Sequence, residues 1–326
     1  MKRIATPSRN GWEEIIASQG MSYNETDLPD GSKGSYWNEN HAYVLTMHEV
    51  ESLEEQTEQL HKMSLEAASF LSSEQYKRNS PFARMGVSAE ALEYATFSLD
   101  RNDPFLYGRF DLAYSGREGE PAKFLEYNAD TPTSIYETAV FQWLWLEDQI
   151  AAGVLPADAD QFNSLHEKLV ERFRAIFPDG GFVHFSSDAE FVEDRQTVRF
   201  LEDLARQAGL DPEFVPIDQI GLNADGRFVD QNNYLIQAMF KLYPWEQMLR
   251  DDYAEPLPRA EMTVLEPAWK SILSNKAILP LLWERHAGHP NLLESYFEGD
   301  PAEAALSSSY VRKPLFSREG DNVELI

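Results

Sequence analysis

The sequence predicts a mixed α/β fold, and two observations carry that expectation. Residues 180–217 read strand, helix, strand, the order of a small α/β unit with a parallel sheet. Residues 109–128 read as an antiparallel hairpin. Aromatic and aliphatic residues alternate over 109–114, Ser115-Gly-Arg-Glu-Gly-Glu-Pro121 is turn chemistry, and 122–128 returns. The 326 residues suggest about two domains, at roughly 150 residues each. A chain that is 43% hydrophobic and 12% aromatic can fill a large core.

Taken in order, residues 1–40 are polar, with a helical pattern over 12–18. The aromatic-dense stretch from Tyr36 to Tyr43 reads as packing. Ser52-Leu-Glu-Glu55 matches a capping box and predicts a helix running to about Leu71, with Leu53, Leu60, Met63, Ala67 and Leu71 on one stripe. His61 lies beside that stripe and reads as structural. A second helix is expected over 88–99 and then the hairpin. Beyond it, 135–146 reads as a buried helix, capped by Ser134 with Glu137 at the third position. Residues 151–160 form an acidic link and a candidate boundary. A helix over 162–177, a strand over 182–186, a helix over 188–208 and a strand over 213–217 follow. Residues 234–242 suit a strand or a helix, 269–283 a broken helix, and 310–322 a strand entering a basic loop.

Bulk chemistry excludes several functions. Lys and Arg total 28 against 55 Asp and Glu, a formal net charge of −27, so a basic nucleic-acid face or adhesion to an anionic membrane is disfavoured. An acidic protein can attract amines. With no cysteine there is no disulfide, thiolate zinc site or cysteine nucleophile. No run of 18 apolar residues and no secretory pattern occurs, so a cytoplasmic protein is expected. His286-x-x-His289 lies among Gly and Pro and reads as loop histidines. No HExxH, Gly-x-Ser-x-Gly or Gly-rich dinucleotide loop occurs.

The hairpin carries the chemistry. If Asp111 faces Glu126, Arg109 faces Asn128, and all four project from one face. Opposed carboxylates destabilise a sheet unless a cation lies between them. Two carboxylates and an amide oxygen are hard ligands suited to Mg²⁺, and Arg109 can hold phosphate. A solvated strand face and a metal or phosphate site both stand on the pattern alone. Asp130-Thr-Pro-Thr133 then feeds a helix N-terminus, which favours an anion.

Several segments together resemble the glutathionylspermidine synthetase-like family. They are Arg109-x-Asp111, Glu126-Tyr-Asn128-Ala-Asp130, Lys241-x-x-x-Trp245-Glu246, Asn275-Lys276-Ala-Ile-Leu-Pro and Lys313-Pro-x-x-x-Arg318-x-Gly320. The resemblance spans nearly the whole chain. It implies an ATP-grasp-like fold, circularly permuted, with a pre-ATP-grasp α/β unit. On that scheme 1–150 is the first part of the synthetase lobe with the hairpin, 151–264 is the α/β unit, and 265–326 is part of the nucleotide-binding lobe. The family usually continues past the Lys-Pro…Arg-x-Gly segment, so an adenine-holding segment is expected beyond Ile326.

The resemblance further implies a ligase. ATP activates a glutathione-like peptide acid as an acyl phosphate, and a polyamine-like substrate attacks it. By position, Asp111, Glu126 and Asn128 match magnesium ligands, and Arg109 matches the arginine on phosphate and acyl phosphate. Lys276, Lys313, Arg318 and Gly320 match nucleotide contacts. Thr131 and Thr133 fall near the acid substrate, and Glu193, Asp194 and Glu246 near the polyamine. A solvated helix start stands beside that role for Glu193 and Asp194. A non-catalytic nucleotide- or metal-binding protein of the same fold is the alternative. A metal-dependent phosphatase lacks the dense Asp/His clusters expected of it.

Overall fold

A computed structural model describes residues 1–28, 30–73, 84–252, 254–318 and 320–326. The fold is mixed α/β, and the chain forms two compact units, each from two separate stretches of sequence. One comprises Met1–Val50 and Thr133–Tyr243, the other Glu51–Pro132 and Pro244–Ile326. The divisions thus fall after 50, 132 and 243, whereas the sequence suggested boundaries after 150 and 264. The hairpin is the reason, because its apolar face packs with residues from 269 onward.

In the first unit, strand Gly181–Ser187 pairs in parallel with Leu210–Phe214 on one side and Ala238–Leu242 on the other. Helix Val192–Ala208 makes the crossover, as the sequence order required. It starts later than expected because Asp188 takes the Glu190 N–H in a local turn. It ends at Gly209, whose φ of 95° closes the helix and starts the next strand at once. That strand therefore occupies 210–214 rather than 213–217. The N-terminal part has the expected helix Trp12–Ser18 and adds the paired strands Lys2–Ala5 and His41–Val44, which the polar sequence did not suggest. Ile16, Met21 and Phe141 are buried together under Trp12, Trp37 and Tyr136.

The second unit holds most of helix Met47–Ser72, helix Ala89–Asp100, the hairpin and helices Lys270–Ser274 and Ile278–Arg285. Leu60, Met63, Phe124, Tyr127, Trp269 and Leu282 belong to one continuous core. Ser88 caps its helix as predicted, accepting from Ala91 N–H at 3.1 Å. The first long helix, Met47–Ser72, starts six residues earlier than the Ser52 cap implied. Its capping box is Thr46-x-x-Glu49: Glu49 accepts from Thr46 N–H at 2.8 Å, and Thr46 Oγ1 accepts from Glu49 N–H at 3.3 Å. Ser52 lies inside the helix and accepts from the Gln56 amide instead. Thr46→Ala should therefore cost about 1 kcal/mol by urea unfolding, and Ser52→Ala much less. Among the described residues, no helix is long and apolar enough to cross a membrane.

Candidate functional site

The hairpin has the register that alternation and charge predicted. Strand Arg109–Ala113 pairs with Lys123–Asn128, placing Arg109 opposite Asn128 and Asp111 opposite Glu126. A bulge then shifts the register by one, so Leu112 faces Phe124. On the apolar face, Phe110 stacks on Tyr127 with centroids 4.0 Å apart. Gly108 is required just before this pair, because a Cβ there would lie 2.7 Å from the Tyr127 ring. His61 is structural, as expected: its Nδ1 lies 3.2 Å from the Tyr127 hydroxyl, and burial, then Lys270, holds its pKa below the ordinary value.

On the polar face, Arg109 Nε donates to Asp111 Oδ1 at 2.8 Å. Lys276 Nζ lies 3.3 Å from Glu126 Oε2. Burial raises the Glu126 pKa, but Lys276 and Lys313 outweigh it and the net shift is downward. The sign follows: this carboxylate contributes stability above its ordinary value of 4.5 that is lost as pH falls through the lowered folded value. Lys276→Met should therefore flatten the acid limb of a stability–pH curve measured by thermal melting.

The distant basic residues named from sequence gather here. Lys276 Nζ also donates to the Ser317 carbonyl at 2.8 Å, and Lys313 Nζ to the Leu125 carbonyl at 3.0 Å. Burial lowers the Lys313 pKa, Glu126 opposes that, and Lys276 adds to it. Two ammonium groups beside one carboxylate leave an electropositive spot suited to an anion. Arg318 donates to Thr131 Oγ1, and its second nitrogen donates to Glu246 Oε1 at 2.8 Å. Gly320 has a φ of 76°. Position 319 lies outside the described residues. Glu246 also lines a small cavity of about 100 Å³ with Leu92, Arg250 and Phe316.

Thr133, Glu193, Asp194 and Lys241 belong to the other unit. Glu193 and Asp194 occupy the first turn of helix Val192–Ala208, half-buried rather than fully solvated. Ser134 is not the expected cap, since its φ is 65° where a capping residue is extended. Glu137 does not complete a capping box either. Its Oε1 accepts from the Tyr23 and Tyr36 hydroxyls at 2.9 and 3.1 Å. His289 Nδ1 accepts from Asn291 N–H within its own loop.

The donor set on the hairpin fits a magnesium ion. Among the described residues no three His, Asp or Glu side chains gather to hold a metal. The hairpin offers two opposed carboxylates and an amide, all partly exposed. Mg²⁺ commonly binds through one or two carboxylates, keeping waters and taking phosphate oxygens.

A family model described as glutathionylspermidine synthase preATP-grasp matches residues 3–326. The chain belongs to this family. The glutathionylspermidine synthase family member described here is 38% identical to a candidate acid–amine ligase of Haemophilus influenzae, over 99% of its own length and 80% of the relative's. It is 26% identical to the bifunctional glutathionylspermidine synthetase/amidase of Escherichia coli, over 88% of its own length but only 48% of the relative's. The Crithidia fasciculata trypanothione synthetase is 28% identical over 68% of this chain and 36% of the relative. A glutathione synthetase-like effector of Globodera pallida aligns over 86% of this chain and 68% of its own, at 11% identity and a TM-score of 0.46.

In this family member, sequence reading missed the groups that hold the hairpin in place. Glu266 and Lys270 are fully buried, 2.6 Å apart. Glu266 accepts from the N–H groups of Leu106 and Tyr107 at 3.0 and 2.9 Å, and Lys270 donates to the Tyr107 carbonyl. These contacts fix the chain two residues before Arg109. At the other end, Ser274 Oγ accepts from Ala129 and Asp130 N–H at 3.0 and 2.7 Å, and buried Asp130 accepts from Trp245 N–H at 2.7 Å. Asp130 thereby ties Trp245-Glu246 to the end of the hairpin. The i, i+4 spacing of Glu266 and Lys270 was a signal, but it is also that of an ordinary exposed helix pair.

Proposed function

We propose that this protein is an ATP- and Mg²⁺-dependent ligase that joins a carboxylate to an amine through an acyl phosphate, acting in the cytoplasm on small molecules. The observation that carries the reading is the hairpin face bearing Arg109, Asp111, Glu126 and Asn128, with Lys276 and Lys313 beside it. Membership of the glutathionylspermidine synthase family and the likeness to an acid–amine ligase support a C–N bond-forming activity.

Asp111, Glu126 and Asn128 would hold the metal, which when bound neutralises charge on the phosphates. Lys276, Lys313 and Arg318, with Gly320 in the same loop, hold the nucleotide's phosphates. Arg109 stands at the transferring phosphoryl group, where a guanidinium can bridge two oxygens. The substrate carboxylate attacks the γ-phosphorus, ADP leaves, and the amine then attacks the acyl carbon as phosphate departs with the C–O bond electrons. Thr131, which Arg318 reaches within the same unit, contacts the acid, a glutathione-like peptide, and Thr133 is a further candidate for that role in the other unit. Glu193 and Asp194 favour a cationic, polyamine-like amine, as Glu246 does in its own unit, and a carboxylate beside the amine can take the proton it loses.

The test is release of ADP and phosphate with a panel of peptide acids and polyamines. The expected result is turnover that needs acid, amine and Mg²⁺ together. ATP binding without turnover anywhere in the panel would overturn the ligase and leave a non-catalytic nucleotide-binding protein.

A further inference from the structure

The cations proposed for the nucleotide phosphates are all engaged by the chain's own oxygens. Lys276 Nζ lies 3.3 Å from Glu126 Oε2 and donates to the Ser317 carbonyl, and Lys313 Nζ donates to the Leu125 carbonyl. Arg318 is held twice. Nη1 donates to Thr131 Oγ1, and Nη2 donates to Glu246 Oε1 at 2.8 Å. A guanidinium offers a carboxylate the same fork of N–H groups that it offers a phosphate. Glu246 and a phosphate therefore compete for one group.

The two sides of this contact differ in how they are fixed. Glu246 follows Trp245, which is 0% exposed. Trp245 donates its backbone N–H to buried Asp130 and its indole N–H to the Glu266 carbonyl at 2.9 Å, and it meets the Tyr94 ring edge-on. The Glu246 side chain is 16% exposed, that of Arg318 46%. Arg318 ends a strap, residues 313–318, whose anchor lies upstream. The Leu315 carbonyl accepts from Lys276 N–H at 2.9 Å, and the Leu315 side chain packs on the core of its unit. It passes so close to Gly86 that a Cβ there would lie 3.1 Å from it. Phe316 lines the cavity of about 100 Å³ with Leu92 and Ile272. Beyond this anchor, the buried Ser317 hydroxyl has no hydrogen-bond partner among the described residues, although buried polar groups are ordinarily paired. The end of the strap can thus exchange contacts without undoing Leu315. All these residues lie in one compact unit.

We propose that Glu246 is an internal competitor for Arg318. In the nucleotide-free protein it holds the guanidinium, and the phosphates of the incoming nucleotide take the guanidinium from it. The contact lowers apparent nucleotide affinity, because only molecules whose Arg318 is free bind at full strength. This regulation rests on the reading of Arg318 as a phosphate contact.

Two measurements on the full chain test it. Mg-ATP is titrated by calorimetry, without acid or amine, into the unaltered protein, Glu246→Gln, Arg318→Gln and the double variant. Glu246→Gln should bind ATP about two- to fivefold more tightly, the range expected of a partly exposed pair, and Arg318→Gln more weakly. In the Arg318→Gln background the gain from Glu246→Gln should vanish. A gain that persists there overturns the proposal, since it would mean general repulsion between Glu246 and the phosphates. An affinity in Glu246→Gln that is unchanged or weaker also overturns it. The second measurement needs no nucleotide. Trypsin must take the Arg318 side chain into its own pocket, so cleavage after Arg318, followed by mass spectrometry, reports how often Glu246 lets go. It should be about two- to fivefold faster in Glu246→Gln, with other sites unchanged. An unchanged rate overturns the proposal even where Arg318→Gln binds ATP too weakly to measure. Absence of ATP binding in all four proteins removes the phosphate reading of Arg318 and the proposal with it. If binding and cleavage behave as expected but no acid and amine support turnover, the ligase reading fails alone. If the unaltered protein turns over and Glu246→Gln changes neither ATP affinity nor cleavage, the competitor role fails alone.

Discussion

Asp111→Asn is expected to lower kcat for acid- and amine-dependent phosphate release by about a thousandfold or more, with little change in melting temperature. The catalytic half follows from the register. Asp111 stands opposite Glu126, and an amide there keeps the shape but removes one of two negative charges from the face proposed to hold the metal. Loss of one oriented group that stabilises transition-state charge costs about 10²–10³ in kcat, and a metal ligand supports the metal's whole contribution. The stability half follows from exposure. The Asp111 side chain is 35% exposed, and it pairs with Arg109 two residues away. Half-exposed pairs are worth at most about 1 kcal/mol. Steady-state phosphate release and a thermal melt on the same preparation check both halves. Calorimetry with ATP should also show that Mg²⁺ no longer strengthens nucleotide binding.

Lys270→Met has the opposite profile and the largest expected effect on stability. It leaves Glu266 fully buried without its cation. Burial already pushes the Glu266 carboxyl above its ordinary value, against Lys270 and the N–H groups of Tyr107 and Leu106. Breaking a buried pair from one side costs about 3–5 kcal/mol, a large share of the 5–15 kcal/mol that typically stabilises a domain. Urea unfolding should show the loss as a lower midpoint. Glu266→Gln keeps an acceptor for the Leu106 and Tyr107 N–H groups and should cost less. Activity should fall in Lys270→Met even where the protein remains folded, because the Tyr107 carbonyl that Lys270 holds lies two residues before Arg109.

The hairpin was legible because an antiparallel pair has one free parameter, its register, and choosing two opposed residues sets it. Pairing Asp111 with Glu126 fixed Arg109 against Asn128. The bulge that moves Phe124 opposite Leu112 was not legible, since a one-residue slip beyond the polar set leaves the apolar alternation almost unchanged. Helix starts were ambiguous for a different reason. Thr46-x-x-Glu49, Ser52-x-x-Glu55 and Ser134-x-x-Glu137 all match the capping box. The first is a cap, the second lies within a helix, and in the third tyrosines more than 100 residues away claim the glutamate. Local pattern cannot distinguish these, because the deciding partners are distant in sequence. The gathering of Lys276, Lys313 and Arg318 came from the family resemblance rather than from spacing. Their carbonyl and carboxylate partners, Ser317, Leu125 and Glu246, had no sequence signal.

The most direct test of the central claim follows oxygen. The acid substrate is labelled with ¹⁸O in its reacting carboxylate and turned over with unlabelled ATP and the amine. Passage through an acyl phosphate predicts one ¹⁸O atom in each phosphate released, read by mass spectrometry or by the ³¹P isotope shift. Phosphate carrying no label, with ATP consumed, would contradict the account, since it would mean that water or another group takes the γ-phosphoryl.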